Sequence, residues 1–322
     1  MVDALDFRLL NDFQRNFPLS SQPYAEIGKT LGVGEGEVLQ RLQALAQSRK
    51  ISRVGAVLAP RSFGASSLVA MAVPAERLEE VAATVNRFPG VNHNYARRHH
   101  FNLWFVAAAA CEQTLSRLLD YIERATGLPL LRLPLLEEFH IDLGFSLHGE
   151  VKTESRSRPS QSSPMPLADH ERRLLSVLQE GLPLLERPFA AMAERMDSSE
   201  SAVCQGIESW LNNGAIKRFG IIVRHRELGF SANAMLVHDV PDARTAEVGR
   251  ALAGESAVTL CYRRPRILPD WPYNLFCMIH GREHAEVEAQ IAELREKHGL
   301  QSIPHAILFS ETCFKQTGAR YV

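Results

Sequence analysis

The segment Val91–Phe105, VNHNYARRHHFNLWF, concentrates residue types that can move protons and hold anions. Eight of its residues contain three imidazoles and two guanidiniums, at His93, Arg97, Arg98, His99 and His100. Imidazoles titrate near neutral pH, and guanidiniums are fixed cations that match the geometry of carboxylates. This combination predicts a site where protons are transferred beside a bound acidic group.

The spacing of these residues predicts that they share one side of a strand. His93, Tyr95, Arg97 and His99 are two residues apart, and alternate side chains of an extended segment point to the same face. His100 would point to the opposite face, and we expect it to be structural. The alternative is a solvated edge strand whose charges discourage aggregation. The apolar run from Leu103 to Val106 argues for burial instead.

The chain is also an internal duplication. A shift of 165 positions matches Ile51 to Ile216 and Gly55 to Gly220. Further along, YARRHHFNLWF corresponds to YRRPRILPDWPYNLFCM, which has about five additional residues. Because long-range self-similarity indicates repeated units, each half is predicted to be a copy of the same structure.

Each copy begins with a helical pattern of three segments followed by a strand, which predicts a winged helix-turn-helix. A β-α-β-β-α-β order then follows, from 68 to 139 and from 234 to 314, which predicts a ferredoxin-like domain. The predicted fold class is therefore α+β, a tandem duplication of both domains. The predicted boundaries are 1–60 and 167–225 for the winged helices, 61–148 and 226–322 for the ferredoxin-like domains, and 149–166 for a Ser- and Pro-rich linker.

Bulk composition fits an ordinary globular protein of 322 residues with a net charge of −1. This charge gives no general attraction to nucleic acid or to anionic membranes. No apolar run approaches the roughly 18–20 residues that span a bilayer, and the acidic amphipathic beginning is not typical of a signal peptide. The five cysteines form no CxxC pair. They indicate reduced thiols in a cytoplasmic protein and give no support to an iron–sulfur cluster.

The two helix-turn-helix units lack the cations that DNA binding requires. The candidate recognition helices begin with Glu35 and Glu37 in the first copy, and with Asp197 and Glu200 in the second. Affinity for DNA comes largely from neutralised phosphates, so we expect no sequence-specific binding. A winged helix followed by a ferredoxin-like domain resembles the AsnC/leucine-responsive regulator family, a resemblance that concerns architecture more than function.

The pattern H-N-Y-x-R-x-H-x-F-N-L-W-F, from His93 to Phe105, resembles the siroheme decarboxylases. The second copy adds Cys261–Pro265, Trp271–Phe276 and Phe314–Lys315, which resemble the motifs of the partner subunit. The resemblance implies a fusion of two subunits of AsnC-type fold. It further implies loss of carbon dioxide from the acetates at positions 12 and 18 of siroheme, giving 12,18-didecarboxysiroheme for d1 haem or for the alternative haem pathway.

The proposed chemistry assigns a proton-delivering role to histidine. Loss of carbon dioxide leaves negative charge on a methylene carbon, and a general acid that protonates the ring carbon beside it would supply the electron sink. His93 and His99 are the predicted catalytic residues, and either could instead ligate the iron of the substrate. No intrinsic metal or additional cofactor is predicted.

The substrate is a flat apolar ring with carboxylates at its rim, so its pocket needs cations and aromatic walls. The predicted rim residues are Arg97, Arg98, Arg263, Arg264, Arg266 and Lys315. The predicted wall residues are Trp104, Phe105, Trp271, Tyr273 and Phe276, and Tyr95 and Tyr262 could donate to a carboxylate or serve as wall. Of the singly scattered histidines, His280 is the one predicted to lie close to this pocket.

Two other classes of function remain open from the sequence. One is an AsnC-type regulator that senses haem or another ligand, and the other is a tetrapyrrole-binding protein without turnover. In every case we expect the two halves to form an intramolecular pseudo-dimer, which could itself dimerise. We expect no membrane partner.

Overall fold

The computed structural model of the chain describes residues 3–141 and 166–321. These residues divide into two compact units. One unit contains 3–63 and 166–228, and the other contains 64–141 and 229–321. Each unit therefore combines corresponding parts of both copies. The predicted linker, 149–166, lies outside the described residues except for its last residue, and the predicted domain boundaries stay predictions.

The first copy contains α1 (Ala4–Asp12), α2 (Pro23–Leu31), α3 (Glu35–Gln47), β1 (Ile51–Leu58), β2 (Ala65–Met71), α4 (Leu78–Asn86), β3 (Val91–Arg97), β4 (Leu103–Ala109), α5 (Glu112–Thr126), β5 (Leu131–Pro134) and β6 (Glu137–Ile141). The second copy contains α6 (Asp169–Glu180), α7 (Pro188–Met196), α8 (Glu200–Asn212), β7 (Ile216–Val223), β8 (Ala232–His238), α9 (Asp242–Ala253), β9 (Val258–Arg263), β10 (Leu275–Gly281), α10 (His284–Lys297) and β11 (His305–Gln316).

The helix-turn-helix parts are joined by their strands. β1 and β7 pair antiparallel, with Gly55 opposite Gly220, the two glycines that the internal repeat matches. A side chain at Gly220 would collide with the carbonyl oxygens of Phe13 and Gln14, so glycine allows this close approach. The strand predicted to follow each helix-turn-helix is thus present in both copies, and each strand satisfies its backbone by pairing with the strand of the other copy.

The acidic starts of the candidate recognition helices are confirmed. Glu35 and Glu37 lie in the first turn of α3, and Glu200 lies in the first turn of α8. Carboxylates at this end are favoured by the helix dipole. The guanidinium of Arg41 on α3 is held by Asp3 at 2.7 Å and by Glu37 at 3.0 Å. Its charge is therefore compensated within the protein.

The ferredoxin-like parts form a nine-stranded sheet in the order β5-β2-β4-β3-β11-β8-β10-β9-β6. Two strands connect the copies. β11 pairs with β8 through Phe309 and with β3 from Ser310 onward. The segment predicted as one closing strand, 130–139, is instead two strands, because β6 leaves its own copy to pair with β9. Each copy thus completes the sheet of the other.

The sheet has an apolar cluster on each side. On the helix side, β2, β3 and β4 pack against α4 and α5, and the second copy repeats this arrangement with α9 and α10. The opposite side, which we call the inner face, carries one cluster drawn from both copies. Its buried members are Leu68, Ala70, Trp104, Leu131, Leu133, Leu135, Met235, Val237, Tyr262, Trp271, Phe276, Met278 and Leu308. The ferredoxin-like parts of the two copies therefore pack against each other, as the predicted pseudo-dimer requires.

Candidate active site

His99 is held in one tautomer by the bend that follows β3. The strand ends at Arg97, so strand alternation does not place His99 as the spacing suggested. Instead, the backbone N–H of Phe101 donates to Nδ1 of His99 at 3.1 Å. A nitrogen that accepts a hydrogen bond carries no proton, so the neutral ring carries its proton on Nε2. The neutral ring of His99 therefore presents a hydrogen-bond donor at Nε2.

The environment of His99 also disfavours its charged form. The ring is half-buried, and its pKa is lowered, first by burial and then by the nearby charge of His100. Protonating Nδ1 would in addition break the hydrogen bond from Phe101, because both groups would then be donors. These effects together keep the imidazole neutral near pH 7.

Asn102 anchors the bend that carries His99. Its side-chain oxygen accepts from the N–H of Val73 at 2.9 Å, and its amide nitrogen donates to the Val73 carbonyl at 2.8 Å. Its own carbonyl accepts from the N–H of Arg97 at 2.8 Å. The bend is therefore tied to β2 and β3 at once, a role that the sequence analysis did not assign.

A cluster of aromatic rings connects His99 to the second copy. Trp271 is fully buried and lies with its ring centroid 5.6 Å from His99 and 5.2 Å from Trp104. It also contacts Tyr273 at 5.0 Å and Phe276 at 6.0 Å. The predicted wall residues of both copies thus meet at Trp271. Its indole nitrogen has no hydrogen-bond partner within residues 3–141 and 166–321.

His93 and Tyr95 lie on the inner face of β3, and their ring centroids are 6.2 Å apart. Tyr95 is opposite Trp104 in the β3–β4 pairing, so these side chains belong to the same face of the sheet. The guanidinium of Arg97 lies 6.0 Å from the Tyr95 ring and donates to the Leu308 carbonyl at 2.8 Å. His93, Tyr95 and Arg97 of the first copy therefore share the inner face of β3, which ends at the bend that contains His99.

The second copy repeats the tyrosine–arginine contact. The guanidinium of Arg264 lies 4.6 Å from the Tyr262 ring and donates to the Leu133 carbonyl. Arg97 and Arg264 each donate to a backbone carbonyl of the other copy, so these two hydrogen bonds connect the copies. Burial lowers the pKa of Arg264, and its Nε atom is shielded from solvent.

The histidines are not repeated. Leu260 precedes Tyr262 by two residues, as His93 precedes Tyr95, so leucine takes the place of histidine. The segment from Arg264 to Asn274 contains no histidine. The histidines of the motif therefore lie in the first copy, and the corresponding part of the second copy contributes aromatic rings.

The remaining predicted cations already have protein partners. Arg98 forms an exposed ion pair with Glu311 at 3.2 Å, and Arg263 lies 3.5 Å from Asp242. Arg266 contacts both Asp239 and Asp242 at 2.7 Å. A substrate carboxylate would have to replace these carboxylates to bind there.

Two predicted pocket residues lie on the helix side of the sheet. Nζ of Lys315 donates to the carbonyl of Asn86 at 2.9 Å, at the end of α4. Lys315 is opposite Asn94, whose side chain also reaches Asn86. Phe105 belongs to the helix-side core of the first copy. Neither residue joins the cluster around His99 and Trp271.

No group of three or more His, Cys, Asp or Glu side chains in the described part of the chain could hold a metal ion. No helix among the described residues combines the length and the apolar character needed to cross a bilayer.

The comparisons with known proteins agree with this geometry. Residues 62–140 and 227–315 match the AsnC-like ligand binding domain, and 6–51 and 171–216 match the siroheme decarboxylase NirDL-like HTH domain. Each copy thus contains a helix-turn-helix domain and an AsnC-like ligand binding domain, which defines the class of the protein. More narrowly, it belongs to the siroheme decarboxylase family.

The relatives support this assignment over the whole length. The siroheme decarboxylase NirDL subunit of Paracoccus denitrificans (strain Pd 1222) is 45% identical over 99% of this chain and 97% of the relative. The NirL subunit of Stutzerimonas stutzeri is 50% identical over 46% of this chain and 88% of the relative. The NirD subunit of the same organism is 49% identical over 45% of this chain and 96% of the relative.

A solved structure of the siroheme decarboxylase NirDL in co-complex with an iron-uroporphyrin III analogue has a TM-score of 0.68 to this chain. It is 29% identical and covers 96% of this chain and 92% of that chain. The fused arrangement predicted from the sequence is consistent with separate D and L subunits in other members.

Proposed function

We propose that this chain is a carboxy-lyase that removes carbon dioxide from the two acetate side chains of siroheme, giving 12,18-didecarboxysiroheme for d1 haem or haem formation. Family membership supports the activity. The observation that carries the site assignment is the fixed Nε2–H tautomer of His99, beside the buried Trp271 of the other copy.

In the proposed mechanism, the protein supplies protons and excludes water. A proton delivered to the pyrrole carbon beside the acetate creates the electron sink, and a second proton converts the resulting methylene to methyl as the ring proton leaves. His93 is the proposed acid–base group that delivers the ring proton and takes it back, and His99 is proposed to hold the acetate carboxylate through its neutral Nε2–H. Trp104 and Trp271 form the wall that keeps the site dry.

The sequence left open whether His99 takes part in acid–base chemistry or ligates the iron of the substrate, and the tautomer of His99 bears on this choice. Iron coordination requires an unprotonated ring nitrogen, and Nε2 of His99 carries the proton while Nδ1 accepts from Phe101. We therefore propose that His99 is not a ligand of the substrate iron.

We further propose one active site per chain, because His93 and His99 have no counterparts in the second copy. Tyr95, Arg97, Tyr262 and Arg264 would border the ring. Arg98, Arg263, Arg266 and Tyr273 would contribute at the rim only by exchanging their present partners. We place the reaction in the cytoplasm, as expected from a chain whose described cysteines are free thiols.

The direct test is anaerobic incubation of the protein with siroheme, followed by mass spectrometry of the extracted tetrapyrrole. Loss of both acetate carboxyl groups identifies the enzyme. Binding with unchanged mass identifies a sensor or carrier and refutes the proposed activity. A double variant, His93→Ala with His99→Ala, serves as the matched control, and we expect it to bind siroheme without releasing carbon dioxide.

A further inference from the structure

The bend that follows β3 has a longer counterpart in the second copy. The N–H of Arg97 donates to the Asn102 carbonyl at 2.8 Å, and the N–H of Arg264 donates to the Asn274 carbonyl at 3.0 Å, so the two pairs mark the same positions. Asn102 follows Arg97 by five residues, whereas Asn274 follows Arg264 by ten. The second copy therefore adds residues to a bend that the first copy closes without them.

The longer loop brings Trp271 to the place that His99 has in the first copy, counted back from the two asparagines. Two backbone hydrogen bonds fix it there, since the N–H of Trp271 donates to the Ile267 carbonyl and the N–H of Ile267 donates to the Trp271 carbonyl, both at 2.8 Å. The Arg266 guanidinium ties the same loop to the Val240 carbonyl. The second copy thus presents an indole where the first copy presents an imidazole.

The indole N–H of Trp271 is a buried donor without an acceptor. Trp271 is 0% exposed, and no group among the described residues accepts from its Nε1. Trp104, beside it, shows the usual arrangement, because its Nε1 donates to the Phe101 carbonyl at 2.6 Å. A buried donor that stays unpaired is destabilising, so the N–H of Trp271 points to a ligand group that accepts.

Trp271 and His99 meet where the two copies join. Their ring centroids are 5.6 Å apart, and those of Phe101 and Tyr273 lie 6.0 Å and 5.0 Å from Trp271. His99, Phe101 and Tyr273 are only half-buried. A ligand that turns the Phe101 or Tyr273 ring aside therefore reaches Trp271 next to the Nε2–H of His99.

Uncharged donors suit a carboxylate that is to be lost as carbon dioxide. The negative charge leaves this group during the reaction, so an ion pair with it would stabilise the bound substrate more than the transition state. A neutral N–H binds a carboxylate less strongly than a guanidinium does. It can therefore position the group at a smaller cost in rate. Guanidiniums are better suited to the propionates, which keep their charge.

We propose that Trp271 is a substrate-binding residue that donates from Nε1 to the same acetate carboxylate that His99 holds through Nε2. Each copy then contributes one uncharged donor from equivalent positions, and the two oxygens of the carboxylate accept one hydrogen bond each. This inference rests on the proposed function, because siroheme supplies the acetate.

The test is Trp271→Phe, which keeps an aromatic ring and removes the N–H. Affinity for iron-uroporphyrin III and for iron-coproporphyrin III is measured by absorption titration of the full-length chain. The two ligands share their propionates, but the coproporphyrin has methyl groups where the uroporphyrin has acetates. Trp210→Phe is the matched control, because Trp210 lies on α8 in the other unit, and we expect it to leave both affinities within twofold of wild type.

We expect Trp271→Phe to weaken iron-uroporphyrin III binding by about tenfold or more beyond any change for iron-coproporphyrin III, the loss typical of a hydrogen bond to a charged group. Loss of ring contact alone would weaken both ligands equally. That result, or unchanged affinity for both ligands, would overturn the acetate contact.

A second measurement uses the wild-type chain, with nitrogen-15 in its three tryptophans. We expect the indole N–H signal of Trp271 to move downfield with metal-free uroporphyrin III and not with metal-free coproporphyrin III, because both rings have the same ring current and only the first brings acetates. The signal is assigned by its absence from Trp271→Phe or, where that protein does not fold, by exclusion with Trp104→Phe and Trp210→Phe.

An equal response of the Trp271 signal to both ligands would contradict the contact. A wild type that shows the selective response to uroporphyrin III but leaves siroheme unchanged would refute the proposed activity and still support the contact.

Discussion

Replacing His99 by Asn separates the two functions that the structure gives to its imidazole. The Asn side-chain oxygen can take the place of Nδ1 and accept from the Phe101 N–H, which lies 3.1 Å from that nitrogen. The variant has no group at the position of Nε2. It should therefore keep the bend intact while removing the hydrogen-bond donor at Nε2.

The expected loss of rate is large. Losing a hydrogen bond to a charged group typically costs about 1.5–3 kcal/mol, which corresponds to about 10- to 160-fold in rate when the bond is needed in the transition state. His99→Ala should lose the same activity and also leave the Phe101 N–H without its acceptor. Because Phe101 is half-buried and water can reach it, we expect a stability cost at the low end of the range, about 1 kcal/mol.

The assay is single-turnover decarboxylation of siroheme under anaerobic conditions, with thermal unfolding measured in parallel. His100→Ala is the matched control, since His100 is exposed on the same bend and should keep most of the activity. The assignment would be refuted by a folded His99→Asn protein that binds siroheme and turns it over within tenfold of the wild-type rate.

Other consequences can be measured independently. Arg264→Ala should destabilise the chain to urea by about 1–3 kcal/mol, because it leaves the Leu133 carbonyl unpaired between the copies; an unchanged unfolding midpoint would contradict this. Burial lowers the pKa of His238 to about 3, so the folded state stays unprotonated where the unfolded state binds a proton. Stability should then fall by up to about 1.4 kcal/mol per pH unit as the pH decreases below about 6.5, and His238→Phe should flatten that slope. Proteolysis within 149–166 should give two fragments that co-elute, since β1–β7, β3–β11 and β6–β9 pair across the copies; fragments that separate would count against the pseudo-dimer. Gel-shift titration in physiological salt should detect no defined operator, because α3 and α8 begin with acids.

Much of the fold could be predicted because local patterns and the duplication agree. The three helices and the strand at the start of each copy occur in the predicted order, since their apolar periodicities are interrupted by clear turns. The exchange of strands could not be predicted. A segment such as Leu130–Phe139 has the same local pattern whether it continues in its own copy or crosses to the other, and only the geometry of the partner edge decides.

The candidate site, like the fold, could be predicted only in part from the sequence. The motif from His93 to Phe105 indicated the chemistry, and strand alternation placed His93 and Tyr95 together. His99 could not be placed in this way, because a hydrogen bond from the backbone of Phe101, not strand alternation, fixes its ring. The partners of the predicted cations could not be predicted for a related reason. Arg266 has the right charge for a rim, but Asp239 and Asp242, which lie far from it in sequence, compensate that charge.

The central claim is that this chain decarboxylates siroheme by proton delivery from its own side chains. The most direct measurement is anaerobic turnover in deuterium oxide, with mass spectrometry of the product. We predict loss of both acetate carboxyl groups, with deuterium incorporated into each new methyl group, because the proton reaches the methylene carbon from an exchangeable acid. Recovery of siroheme with unchanged mass would contradict the activity, and decarboxylated product without deuterium would contradict the acid–base route.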